Sequence, residues 1–248
     1  MTALLKAELV KLRTTRTFVA LTAAAVVTSL LITVLVASLT EPSEDEVLTD
    51  VFTSDTSSLF ILILAIIGIT GEWRHRTITS SLLAAPDRLR FLAAKTIAFA
   101  LAGLVLSVLI AMAIGIFGYL ILTIRDLPTP DFADVIEQFA RNAGLAALGG
   151  AFGVGLGAIV RNQVVAIVGL LIFSLAIEPA LIGLAPEVGR FGPFGALPAA
   201  AAGLEPEDVG MPSDVDLLPA GVAVLLLLAW IGAAFSTGYA TLKLRDLE

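Results

Sequence analysis

Cysteine is absent from the 248 residues, and histidine occurs once. The first absence removes disulfides, thiol nucleophiles and cysteine-ligated metals. The second removes any multi-histidine metal centre, because His75 stands alone in a basic stretch and reads as a solvated loop residue. Charge is also scarce, at 15% of residues, while 58% are hydrophobic and the mean hydropathy is +0.97. Soluble domains average about 45–50% apolar, so a water-exposed globule does not accommodate this composition. No phosphate-cradling loop is present either: Lys95-Thr96 follows Ala94, where a nucleotide-binding loop needs glycine so that backbone amides can wrap a phosphate. No base converges inside an apolar run as an intramembrane protease requires, and no internal repeat is evident. The chain is therefore not expected to be an enzyme, and it holds no cofactor, metal or nucleic-acid signature of its own.

What it has is length of apolar sequence. Uncharged runs cover Thr17 to Thr40, Thr56 to Gly71, Thr96 to Ile124, Asn142 to Val160, Asn162 to Ile177 and Leu217 to Leu242. A helix rises about 1.5 Å per residue, so about 20 residues cross a hydrocarbon layer about 30 Å thick. The reading is an all-α polytopic membrane protein with six spans: 17–40, 51–73, 96–124, 138–160, 162–184 and 217–242. The first run exceeds the h-region of a signal peptide and is expected to be a retained span.

Charge orders these spans. Lys6, Lys11, Arg13 and Arg16 precede the first; Arg74, Arg76, Arg88, Arg90 and Lys95 separate the second from the third; Arg161 lies between the fourth and fifth; Lys243 and Arg245 follow the sixth. The alternate connections are acidic, with Glu41, Glu44, Asp45, Glu46, Asp50 and Asp55 in the first, then Asp126, Asp131, Asp134 and Glu137, then the Pro/Gly-rich connection over 185–216. The positive-inside rule then places both termini and the basic connections in the cytoplasm of a cell whose plasma membrane the chain crosses.

Two features inside the spans stand out. Gly149, Gly153 and Gly157 recur every fourth residue, a spacing that lets helix backbones approach closely in lipid, either within one chain or across a dimer. Glu178 is an acid at the end of an apolar run. Seventeen residues beyond Arg161, about 25 Å along, it falls near the outer surface, and Pro179 is expected to kink or end the helix there, so an outer helix end fits better than a pathway site. No paired broken helices or mid-depth charges are visible, which argues against an ion-coupled transporter. Ser29, Thr33 and Ser107 on otherwise aliphatic spans suit helix association as well as an amphipathic, lipid-like cargo.

The stretch GEWRHRTITSSLLAAPDRLRFLAAK, residues 71–95, holds five of the fifteen Lys and Arg residues and the histidine. Ile78, Leu82 and Leu83 fall at helical spacing among Thr and Ser, which predicts a short interfacial helix. Pro86 suits the first turn of the next helix, and Asp87 complements its dipole. Orientation and lipid phosphates explain single arginines here. The ordered series of acid, aromatic, bases, apolar helix and proline asks for more.

This island resembles the cytoplasmic loop between the second and third spans of ABC-2-type permeases, the membrane subunits of ABC exporters. The residues that carry the likeness are Glu72, Arg74, Arg76, Thr77, Ile78, Leu82, Leu83, Pro86, Arg88 and Lys95. The basic N-terminal segment, the six spans and the large last outer loop are similar to that family too. The resemblance implies that a separate ATPase subunit dimer binds ATP and magnesium, that this permease chain pairs with a second copy or a paralogue, and that a coupling helix over Thr77 to Ala85 docks on the ATPase. It also implies a connecting helix over Leu4 to Arg16 at the membrane lipids, carrying Leu5, Leu9, Leu12, Lys11 and Arg13; the residues suit it, since the three leucines fall on one face and Lys6 and Arg13 can reach phosphates. A non-transporting membrane scaffold, sensor partner or assembly factor is the competing expectation.

Overall fold

The computed structural model describes residues 1–43, 46–85, 87–206 and 216–244. Pro86, Arg245 and the acidic part of the last long connection, 207–215, lie outside them. Among the described residues every regular element is helical. Six candidate membrane-spanning helices are present: Arg16–Leu39, Val47–Arg74, Arg88–Ile124, Phe132–Val160, Gln163–Leu184 and Ala220–Leu244. The chain is a multi-pass membrane protein. Its two ends are distinguished below as basic and acidic, after the residues that cluster at each.

Helix α1 (Thr2–Thr14) precedes α2 (Arg16–Leu39), the first span. The second span is discontinuous: α3 (Val47–Phe52), then α4 (Ser57–Arg74), with four residues between them. Val47, Val51 and Phe52 of α3 are fully buried. Gly118 makes room for them, since a Cβ there would lie 3.2 Å from Val51. A broken helix was not anticipated by the hydropathy, which sees only a sum over the window. Asp55 lies in this break, half-buried, its carboxylate accepting the Ser57 N–H and the Ser107 hydroxyl.

Helix α5 (Ile78–Ala84) is short, and α6 (Arg88–Ile124) is the longest element. The third span therefore starts eight residues earlier than its uncharged run. Asp87 causes this: its Oδ1 accepts the N–H groups of Leu89 at 3.0 Å and Arg90 at 3.2 Å, a side-chain cap that starts the helix before its basic residues. Likewise α7 (Phe132–Val160) begins six residues before the expected 138. It ends in a tight reversal in which Arg161 takes the left-handed conformation, φ 58°, and Asn162 caps α8 (Gln163–Ile172) through Val164 and Val165.

The fifth span corrects one expectation. Glu178 neither ends nor leaves the helix, having φ −65° and ψ −46°. A π turn over Phe173–Ile177 joins α8 to α9 (Glu178–Leu184). Pro179 offers no N–H and its ring crowds the preceding turn, and the wider π turn accommodates both. Two short helices, α10 (Pro186–Gly189) and α11 (Ala196–Ala202), then line the acidic end before α12 (Ala220–Leu244) returns.

Helix α7 is the axis of the bundle, and glycine on three of its faces explains why. A Cβ on Gly149 would stand 2.8 Å from Ser58 O of α4, and one on Gly153 would overlap Leu62 O. Gly157 similarly meets Ile69 and Ile66. The three glycines read from spacing thus pack within one chain, against α4. Gly150 faces Phe99 O of α6, and Gly155 lies against Ala234 of α12. Backbone contact without intervening side chains is how helices associate where water gives no hydrophobic drive.

Arginines fasten the helix ends. Arg125 donates to Ala37 O at 2.8 Å and Thr40 O at 2.7 Å, the exposed carbonyls of α2. At the other end Arg88 donates to Leu242 O and, at 3.2 Å, to Lys243 O, while Arg161 donates to Thr241 O. These are the last carbonyls of α12, which lack intrahelical partners.

Candidate functional site: an ion-paired joint at the basic end

Three elements meet beneath α5. Helix α1 contributes Glu8 and Lys11, the end of α4 contributes Glu72, and the start of α6 contributes Lys95. Lys95 Nζ donates to Glu8 Oε2 at 2.7 Å and to Glu72 Oε1 at 2.8 Å. Lys11 Nζ donates to Glu8 Oε1 at 2.7 Å and to Glu72 Oε1 at 3.3 Å. Two acids and two bases close a ring with no net charge. Lys95 is 2% exposed, Glu8 5% and Glu72 7%, so only Lys11 reaches the surface.

Burial and charge act in opposite directions on this ring. For Glu8, desolvation would raise the pKa, but Lys95 beside it and hydrogen bonds from Lys11 and Lys95 outweigh that and hold its carboxyl below the usual range. For Lys11, desolvation would lower the pKa, but the bond to Glu8 and the neighbouring Glu72 charge carry it above the ordinary lysine value. Both groups are thus held ionised.

Hydrophobic packing surrounds the ring. Leu12 is buried with Ile61, Leu64 and Leu92, and Leu5 and Leu9 pack against the same cluster. Arg13 is exposed. Helix α5 rests on its own small core, in which Ile78 and Leu82 join Ala85 and Phe91 against Leu4 and Trp73. The backbone ties α5 to the ring directly, because Thr77 donates its N–H to Glu72 O at 2.9 Å and then precedes the first turn of α5.

The residues of the island accordingly separate by role. Glu72 and Lys95 belong to the buried ring, Ile78 and Leu82 to the core beneath α5, and Arg88 to the end of α12. Arg74 donates to Gln163 Oε1 at 3.2 Å, linking α4 to α8. Arg76 is exposed at the turn, with φ 57°. Thr77 is exposed, and Leu83, adjacent in sequence to a buried leucine, is 79% exposed. Leu82 and Leu83 do not act as a pair: one anchors α5 and the other projects from it. Beside the ring a crevice of about 630 Å³ opens between α1, α4 and α5, bordered by Lys11, Glu72, His75 and Ser80.

Glu8 was missed by sequence reading. The available signal was its place on the apolar face of α1, between Leu5 and Leu12 at helical spacing, where an acid requires a buried partner. Glu178 lies away from the joint, at the acidic end. It is 1% exposed and accepts N–H groups of Phe194 at 3.1 Å, Gly195 at 2.6 Å and Ala196 at 3.2 Å. It thereby ties the fifth span to the start of α11. Among the described residues no group of three or more His, Asp or Glu side chains could hold a metal ion. No protein-family model matches the chain, and no curated protein matches it.

Proposed function

We propose that this chain is the membrane-spanning permease subunit of an ABC-2-type exporter, working with a second permease copy or paralogue and a separate ATPase dimer that binds ATP and magnesium. In this reading the basic end faces the cytoplasm, α5 is the coupling helix and α1 the connecting helix. The observation that carries it is the joint beneath α5. A helix that transmits force must be seated stiffly on what it moves. Here α5 follows directly on Thr77, whose N–H bonds Glu72 O of a buried ring that joins α1, α4 and α6, and it offers one large apolar side chain, Leu83, to the outside. ATP-driven closure of the partner would displace α5, and the ring would pass the displacement to two spans and to α1 as one unit.

The test is co-purification. An ATP-binding cassette protein should copurify with the chain from a detergent extract of its own cells. Leu83→Glu should abolish that association while leaving the thermal midpoint of the isolated chain unchanged, whereas Leu82→Glu should lower the midpoint by inserting a charge into the α5 core. Recovery of no ATPase would favour the non-transporting scaffold, and an undiminished complex with Leu83→Glu would remove α5 as the contact with the ATPase.

A further inference from the structure

The crevice beside the ring has two kinds of wall, sorted by depth. Toward the basic end it is bordered by Lys11 of α1, by Arg74 at the end of α4, by His75 and Thr77 in the turn that follows, and by Ser80 of α5. Farther in, its lining is Leu12, Leu64, Ile67, Gly68 and Phe99. Leu64 precedes Arg74 by ten positions on α4, about 15 Å, so the crevice runs from the basic end to about half the depth of a hydrocarbon core about 30 Å thick. Both parts are accessible: Lys11, Arg74 and His75 are exposed, and Ile67 and Gly68 are half-buried.

The charge at the mouth is positive. Among the described residues the acids that border the crevice are Glu8 and Glu72, and both are neutralised within the ring by Lys11 and Lys95, which leaves Arg74 in excess. Lys11 Nζ directs two of its three N–H groups to the ring acids, and Arg74 directs one of its five to Gln163, so both keep donors for an anion. A small inorganic anion would use the mouth alone. The apolar half, which continues from that charge into the depth of the span, fits a ligand with an anionic head and a hydrocarbon chain, and basic pockets at the ends of spans take lipid headgroups in this way. The polarity gradient of the crevice is that of a membrane leaflet.

We propose that this crevice binds one anionic phospholipid, its phosphate held by Lys11, Arg74 and His75 and an acyl chain lying against Leu64 and Ile67. The bound lipid would bridge α1, α4 and the turn into α5 at the joint itself. The inference is independent of the exporter reading, since it concerns the isolated chain and needs no ATPase. The probes are phosphatidylglycerol and inorganic phosphate. The full chain is melted in phosphatidylcholine nanodiscs that contain increasing fractions of phosphatidylglycerol, at constant ionic strength. Binding predicts a midpoint that climbs with that fraction and saturates along the ligand-linkage curve. Arg74→Gln should raise the half-saturating fraction about fivefold, the weight of one basic residue at an anionic membrane surface. Arg76→Gln removes an exposed base two positions on that does not border the crevice, and it should leave the fraction unchanged. Ile67→Trp, which fills the apolar half, should abolish the dependence; should that variant not fold, the contrast between the two arginine variants decides. Inorganic phosphate added to phosphatidylcholine nanodiscs should not reproduce the climb. A midpoint indifferent to phosphatidylglycerol would overturn the site, as would a dependence preserved in folded Ile67→Trp. So would an Arg74→Gln effect no larger than that of Arg76→Gln, which marks diffuse attraction to the lipid surface, or an equal climb with inorganic phosphate, which marks a simple anion site.

Discussion

Lys95 and Glu72 lie 23 positions apart, at the two ends of the island, and their side chains meet at 2.8 Å inside the protein. The island is therefore a closed loop whose base is locked by an ion pair, with Glu8 of α1 completing the lock from a third element. Such an arrangement makes the charges conditional on one another. Replacing Lys95 by Met should strand Glu8 and Glu72 as buried acids facing only Lys11 and cost about 3–5 kcal/mol, the usual penalty for removing one partner of a buried pair. Removing one acid as well, in Lys95→Met/Glu72→Gln, leaves the Lys11–Glu8 pair and should recover much of the loss. Thermal melts of the two single variants and the double variant give the coupling energy. Additive losses would show that the ring is not a unit.

The same ring sets the acid and alkaline limits of stability. Glu8 is depressed relative to the unfolded chain, so near its ordinary pKa of 4.5 the unfolded state binds more protons and stability rises with pH. Its contribution is complete above that value and disappears as pH falls through the lower folded-state pKa. Lys11 is raised above 10.5, so its contribution is complete below that pH and is lost as pH rises through the folded-state value. Melting midpoints should form a plateau between these limits, and Glu8→Gln should flatten the acid limb selectively. Lys11 is half exposed, and solvent screening makes its limb the shallower one.

Much of the architecture was legible because hydrophobic length has one main use in a chain this apolar. Six uncharged runs became six candidate spans, and Gly149, Gly153 and Gly157 announced a close helix contact through spacing alone. The departures share a cause. Arg88, Arg90 and Lys95 were assigned to a connection because charge was weighed as solvent-facing, yet Asp87 caps a helix that carries all three, and Lys95 turns inward to acids contributed from distant sequence. Pairing across 87 residues, as between Glu8 and Lys95, leaves no local trace except an acid on an apolar helix face.

Glycine substitutions should divide sharply by face. A methyl group on Gly153 meets Leu62 O of the α4 backbone, which cannot rotate away, so Gly153→Ala should lower stability by about 1–3 kcal/mol. Gly169, on α8, has nothing within 4 Å of its notional Cβ. There Ala should be neutral or slightly stabilising, because it favours helix by up to about 1 kcal/mol over glycine. Equal melts for the two variants would contradict the close α4–α7 packing.

The lack of cysteine makes orientation directly measurable, since any introduced thiol is the only one. Thr79, on the exposed side of α5, and Glu41, exposed after α2, occupy opposite ends of the bundle. In intact cells Glu41→Cys should react with a membrane-impermeant maleimide, while Thr79→Cys should react only after permeabilisation. That outcome follows if basic residues keep α5 inside. The reverse pattern would remove α5 from the reach of any cytoplasmic ATPase, and with it the exporter reading, while leaving the ion-paired ring and its stability predictions untouched. Labelling of both sites in intact cells would require the inserted chain to adopt both orientations, which the segregation of Lys and Arg to one set of connections opposes.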